Sequence, residues 1–473
     1  MLVASQLDRR RTLILFATGA ALCGGVLWVR ALSSRFEYGS PMLERPHLLL
    51  VAILMAMGVA YLVAAHALVQ SRNLNLNVAI IIVLVGLFMR AAMAFSTPVQ
   101  EDDFYRYLWD GALTANVHNP YGILPHDLGE DESLAALAME SGSVHARVNH
   151  GELGTIYPPT AQGAFALAHL LKPWSLAAWR TVLFGFDLAT ALLVLLALRQ
   201  AALPLAWVGI YWWNPILVKE TFNSLHMDIV VLPCALLAML CASASRPGRA
   251  VFALVLAIGA KVWPVILAPL MFRAIRTTPR HWMVAGIIAL LLTIAMVIPV
   301  LDTLSLGEHS GFRAYGEHWE MNDALFMIFA KSSEFTTNLL NFEESVARIV
   351  ARVVAFLLLL AWTLHWSRSP VADSRDLAGR IVLVMAALFM LSPTQYPWYY
   401  VWIVPFLALS PRPSMLVLSA MLPMYYLKFY FDARDNVHLF HNGLVWLEYA
   451  PVFALAVWET RTRWRATPPE EVA

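Results

Sequence analysis

Gln100-Glu101-Asp102-Asp103-Phe104-Tyr105-Arg106-Tyr107-Leu108-Trp109-Asp110-Gly111 is the first place in the chain where carboxylates gather, and it follows directly on an apolar run that ends near Phe95. On a helix beginning at Asp103, residues Asp103, Tyr107 and Asp110 share one face, while Asp102, Arg106 and Trp109 share the next. Acid, aromatic and cation therefore meet where a hydrophobic span gives way to water. A solvated amphipathic helix in which Asp102 pairs with Arg106 has the same pattern, so the stretch alone leaves both readings open.

The surroundings set the class. The chain of 473 residues is 59% hydrophobic and only 14% charged, with a mean hydropathy of +0.63. That is too much apolar surface for one soluble core, and it reads as an all-α, polytopic membrane protein. A formal net charge of +1 supplies no basic field for nucleic acid. Cys23, Cys234 and Cys241 lie inside apolar runs and read as small buried hydrophobes, with no disulfide framework. Asp8-Arg9-Arg10-Arg11 ahead of the first apolar run resembles a signal peptide, but no Ala-x-Ala-like cleavage site follows, so it reads as an uncleaved first span.

Before the acidic stretch, apolar runs at about 12–30, 47–70 and 77–95 are long enough to cross the bilayer. With Arg9 to Arg11 cytoplasmic, three crossings place the carboxylates outside. Arg30, Arg35 and Arg45 in the first outer loop run against that tendency. Residues 96–174 form the longest polar region, a large outer loop with juxtamembrane helices, one of which starts at Pro158-Pro159. Further spans are expected near 175–199, 203–219, 225–243, 281–301, 348–366, 379–392, 397–410, 414–431 and 443–459. The segment 250–272 has basic residues on both flanks and Lys261 inside it, the pattern of a broken, hairpin-like pair. This makes a single transmembrane domain of about twelve crossings plus re-entrant pieces, with both termini cytoplasmic.

On that topology the polar residues at the outer span ends collect on one side. They are Asp102, Asp103 and Asp110, then Tyr157 and Gln162, then Asn214, Lys219, Glu220, Asn223, His226 and Asp228, then Asn322, Asp323, Gln395, Tyr396, Trp398 and Tyr399. A transporter needs polar groups reachable from both sides, and a lipid-linked sugar flippase stands as the alternative reading. Lys219 beside Glu220 fits either a hydrated loop or a site. His226 and Asp228 have no third nearby partner and are not taken as a metal site. Lys261 in an apolar stretch requires an anion, either a protein carboxylate such as Asp187 or a lipid phosphate. The cluster Tyr396-Pro397-Trp398-Tyr399-Tyr400 suits interfacial anchoring or sugar stacking.

Taken in order, Asp102-Asp103 through Arg106, Tyr107, Trp109, Asp110 and Gly111, then Asn119-Pro120-Tyr121, Tyr157-Pro158-Pro159, Asn214-Pro215 with His226-Met227-Asp228, Lys261 with Pro264, and Ser392-Pro393 with Pro397-Trp398-Tyr399 form a set. This set, over roughly residues 75–430, resembles the multi-spanning GT-C glycosyltransferases, specifically the bacterial polyprenol-phosphate-mannose-dependent mannosyltransferases. The pattern departs at Ser224-Leu225-His226, where related sequences often carry glycine before the histidine.

The resemblance implies an inverting enzyme of the bacterial inner membrane. It would move mannose on the extracytoplasmic face from a polyprenyl-phosphate donor to an envelope glycolipid or glycan. A carboxylate of the first large loop would act as general base, with no cofactor implied and a divalent-cation requirement left open. The residues suit that chemistry. An alcohol is a poor nucleophile until a carboxylate takes its proton, and a departing lipid phosphate needs positive charge. Asp103 is assigned as the base because its spacing to Arg106 matches the family pattern, with Asp102 as runner-up. Arg106 and Lys261 are expected at the donor phosphate. Tyr107, Trp109, Asp110, Asn119, Tyr121, Tyr157, Gln162, Asn214, Glu220, His226, Asp228, Asn322, Tyr396, Trp398 and Tyr399 are expected around the substrates.

Overall fold

A computed structural model describes residues 2–71, 76–340 and 344–462. The structure is 78% helical, and among the described residues the only extended pairings are two isolated bridges, Leu124 with Asp127 and Met321 with Thr394. The all-α expectation holds. Arg463 and Arg465 of the basic tail lie outside the described residues.

Among the described residues six helices are long and apolar enough to cross a bilayer: Arg9–Phe36, His47–Val69, Leu76–Ala94, Leu176–Gln200, Pro279–His309 and Val346–Ser367. Pro215–Asn223 with Met227–Ser243 would make a seventh as a broken pair. The expected count of about twelve is not confirmed. Proline explains much of the difference, because it removes a backbone donor and clashes with the preceding turn. Where continuous crossings were expected near 203–219, 397–410 and 414–431, the chain instead forms short pieces: Val208–Trp212, Pro215–Val218, Pro397–Tyr400, Val404–Leu407 and Pro413–Met421. These pieces are mostly buried, and inside protein a broken backbone finds partners that lipid would deny it. Cys23, Cys234 and Cys241 are free thiols, and Cys241 is buried.

The chain divides into two compact units. The first comprises Met1–Val99, Ala191–Asn223 and Glu320–Ala473. In it α1 (Leu2–Ser33) packs on α2 (His47–Val69) and α3 (Leu76–Ala94), and α2 packs on Pro413–Met421. Tyr61 of α2 donates to the carbonyl of Ile210 at 2.7 Å. Arg90 of α3 donates to the Trp212 carbonyl at 2.7 Å and lies 3.5 Å from the centroid of that residue's ring. An arginine inside an apolar span is thus satisfied by a carbonyl and an aromatic face.

The second unit comprises Gln100–Thr190 and Ser224–Trp319. It holds α4 (Phe104–Ala115), α5 (Glu132–Glu140), α6 (Pro159–Leu171) and most of α7 (Leu176–Gln200). As expected, α6 begins at Pro159, where a first-turn proline forfeits no hydrogen bond. It lies against α4, and Gly111 permits the approach: a Cβ there would stand 2.5 Å from the Phe165 carbonyl oxygen. The segment read as a broken pair is Pro247–Ala260 followed by Trp263–Ala274, and the break falls on Lys261. Pro247–Ala260 packs between Val231–Ser243 and Pro279–Val300.

Candidate active site

The acidic stretch enters α4 from outside the helix. Asp103 is the N-cap residue, and Phe104 is the first helical one. The cap bond typical of aspartate is not made, so the carboxylate is left for other partners. Asn149 supplies one: its side-chain amide donates to Asp103 at 2.7 Å and to Asp102 at 3.0 Å, tying the two acids together. Burial, with the neighbouring charge of Asp103 adding to it, pushes the Asp102 carboxyl above the usual carboxylate range.

Asn149 is itself held by Arg106. The guanidinium of Arg106 donates to the backbone carbonyls of Asn149 at 3.0 Å, His150 at 2.7 Å and Leu153 at 3.2 Å. The Asp102–Arg106 pair of the amphipathic reading is not formed. Arg106 acts on the acids through the loop, in which His150 adopts a left-handed φ of 47°, a conformation costly for a residue with a Cβ. Sequence reasoning missed Asn149, since an asparagine followed by His150-Gly151 in a polar loop reads as a turn.

Beneath the acids lies an aromatic floor. The Tyr107 ring stacks on Phe165 at 4.8 Å and meets Tyr157 and Trp179 edge-on at 5.1 and 5.8 Å. Burial, then Tyr157, Asp103 and Asp228, push the Tyr107 phenol upward, so both of those carboxylates lie near it. Trp179 also donates from its indole to the Leu225 carbonyl at 2.9 Å. Leu225 has a φ of 67°, a left-handed conformation that favours glycine. Here a fully buried leucine and the indole hold the turn instead.

That turn delivers the next groups. His226 precedes the turn Met227–Val230, with Nδ1 3.7 Å from Asp103 Oδ2. Asp228 accepts from Lys261 Nζ at 2.6 Å, and their side chains are 3% and 21% exposed. The protein carboxylate beside Lys261 is thus Asp228, not Asp187. The Asp103 side chain is 29% exposed. The structure groups Asp102, Asp103, Tyr107, Tyr157, His226, Asp228 and Lys261 through these contacts.

Other expected residues of this unit are committed elsewhere. Asp110 is buried and accepts from Thr155 at 2.5 Å and Gln162 at 3.1 Å; burial raises its carboxyl. The Trp109 ring lies 4.6 Å from that of His145. Asn119 donates to the Pro299 carbonyl and to Asp302, and Tyr121 donates to the Tyr157 carbonyl at 2.7 Å. These residues shape the loop that carries Asn149 and Tyr157.

Asn214, Glu220, Asn322, Tyr396, Trp398 and Tyr399 belong to the first unit and form other groupings there. Asn214 caps Pro215–Val218 by accepting from Leu217 N–H. Glu220 accepts from Tyr426 at 2.7 Å and pairs with Lys219 at 3.3 Å. Both charged side chains are essentially buried, so the hydrated-loop reading is replaced by an internal pair. Asn322 donates to Glu448 at 3.0 Å, with a φ of 58°. Tyr396 stacks on Trp398 at 4.3 Å, and Tyr399 on Trp402 at 4.5 Å.

Removing the Asn149 amide tests the clamp. Asn149→Ala is expected to lower the turnover number of glycosyl transfer by about tenfold to a hundredfold, the worth of one or two hydrogen bonds to charged groups. A residue needed for folding alone would change thermal stability and leave the turnover number of the folded protein in place.

No curated protein and no solved structure matches the chain. The model of one family, described as alpha-(1→6)-mannopyranosyltransferase, N-terminal domain, matches residues 12–277. That range holds more than half of the chain and includes Asp102, Asp103, Asn149, His226, Asp228 and Lys261. The chain belongs to the alpha-(1→6)-mannopyranosyltransferase family, and is a glycosyltransferase of the mannosyl-transferring kind carried on membrane-spanning helices.

Proposed function

We infer that the protein transfers mannose, with inversion, from a polyprenyl-phosphate donor to a hydroxyl of an envelope glycolipid or glycan, with its active site on the extracytoplasmic face of the inner membrane. The observation that carries this reading is the combination at Asp103: a carboxylate 29% exposed and 3.7 Å from His226, tied to its neighbour by Asn149, with the turn after His226 carrying the buried acid that Lys261 neutralises.

The acceptor O–H gives its proton to the Asp103 carboxylate as its oxygen bonds to the anomeric carbon. The bond from that carbon to the phosphate oxygen breaks, and the electron pair leaves with the lipid phosphate. Lys261 Nζ meets the growing negative charge there, a point charge with three donors. Arg106 adds its positive charge to the site while its N–H groups keep the loop in place. The aromatic floor of Tyr107 and Tyr157 offers a sugar ring an apolar face.

The test compares donors. Purified full-length protein is supplied with acceptor glycolipid and either polyprenyl-phosphate mannose or a nucleotide-diphosphate mannose, and product is followed by mass spectrometry. Product from the lipid donor alone is expected. Product from the nucleotide donor alone would overturn the lipid-phosphate reading.

A further inference from the structure

Where α1 and α3 end in the first unit, the surface carries an open cavity of about 370 Å³ lined by Leu27, Arg30, Ala31, Ser33, Ser34, Phe95 and Thr97. Leu27, Arg30, Ala31 and Ser34 form one helical stripe of α1 and its extension. Phe95 and Thr97 come from the chain just beyond α3. Arg30 lies over the Phe95 ring at 5.6 Å and makes no ion pair with any described carboxylate. Its place in the last turn of α1 suits a cation, but that does not account for a cavity lined by both hydroxyl and apolar side chains.

Both α1 and α3 are among the helices able to span a bilayer, so the cavity sits at the end of two spans, the level at which lipid phosphates lie. It also supplies a reason for Arg30 where the charge tendency disfavours it. We propose that this cavity binds the phosphate of a membrane lipid. Arg30 makes charge-assisted hydrogen bonds to the phosphate oxygens. The exposed Ser34 hydroxyl and Thr97 stand beside them, and Leu27, Ala31 and Phe95, the last 75% exposed, flank the first carbons of the tail. The volume lies within the range of about 300–1,000 Å³ usual for small-ligand sites. The lipid is either a glycerophospholipid of the bilayer or a polyprenyl phosphate.

Native mass spectrometry of the delipidated full-length protein, titrated with phosphatidylglycerol, a polyprenyl monophosphate, diacylglycerol or inorganic phosphate, tests this. One or both phosphate lipids should bind, and which of them does identifies the source. Arg30→Gln should weaken that binding by about tenfold, Arg30→Lys should weaken it less, and Arg35→Gln, outside the lining, should leave it within about twofold. Ser34→Asp, which puts a negative charge at an exposed position of the lining, should act like Arg30→Gln and decides the matter if that variant does not fold. Unchanged lipid binding in both variants would overturn the proposal. So would diacylglycerol or inorganic phosphate binding as tightly as the lipids that join phosphate to tail.

Discussion

Replacing Asp103 with Asn is expected to lower mannosyl transfer by about 10²–10⁴-fold, the range for loss of a positioned general base, with the thermal unfolding temperature nearly unchanged. The side chain is 29% exposed and the substitution is isosteric, so the Asn149 amide keeps an oxygen to bond. Asp102→Asn should cost less. Burial and the charge of Asp103 make the Asp102 carboxyl hard to ionise in place, so Asp102 is poorly suited to act as the base. Initial rates for the two variants at saturating donor separate these roles. Equal losses would assign the proton to the pair and not to Asp103.

Lys261→Gln carries the second large effect. In the proposed mechanism it takes away the cation that meets the departing phosphate, and it strands Asp228, 3% exposed, without its partner at 2.6 Å. A loss of about 10²–10³-fold in turnover, as for removal of one charge-stabilising donor, should accompany a fall in stability, because a buried acid left alone is costly. The double variant Lys261→Gln with Asp228→Asn divides the two consequences: stability should return, and turnover should not. Recovery of turnover in the double variant would make the lysine a structural partner only.

The class of fold was readable from hydropathy, because a span long enough for lipid is a local property of the sequence. Its count was not. Pro215, Pro397, Pro405 and Pro423 lie in runs apolar enough to be spans, and whether such a run crosses lipid or breaks inside protein depends on what packs around it. Asp102 and Asp103 stood out because acids gather at a span end. Lys261 stood out because a charge in an apolar run needs an anion, yet its partner, Asp228, lies 33 residues away and only the turn after Leu225 brings it near. Asn149 carries no mark that separates it from a turn asparagine. Its role follows from Arg106, whose three bonds go to carbonyls, groups that every residue has and no sequence motif displays.

The claim at the centre of the account is that Asp103 takes a proton and forms no bond to the sugar. The anomeric configuration of the mannoside formed in a single turnover, read by proton NMR against that of the donor, tests it most directly. A one-step displacement predicts a product of opposite configuration to the donor. Retained configuration would require a covalent mannosyl-enzyme intermediate and would contradict the assignment of Asp103 as base.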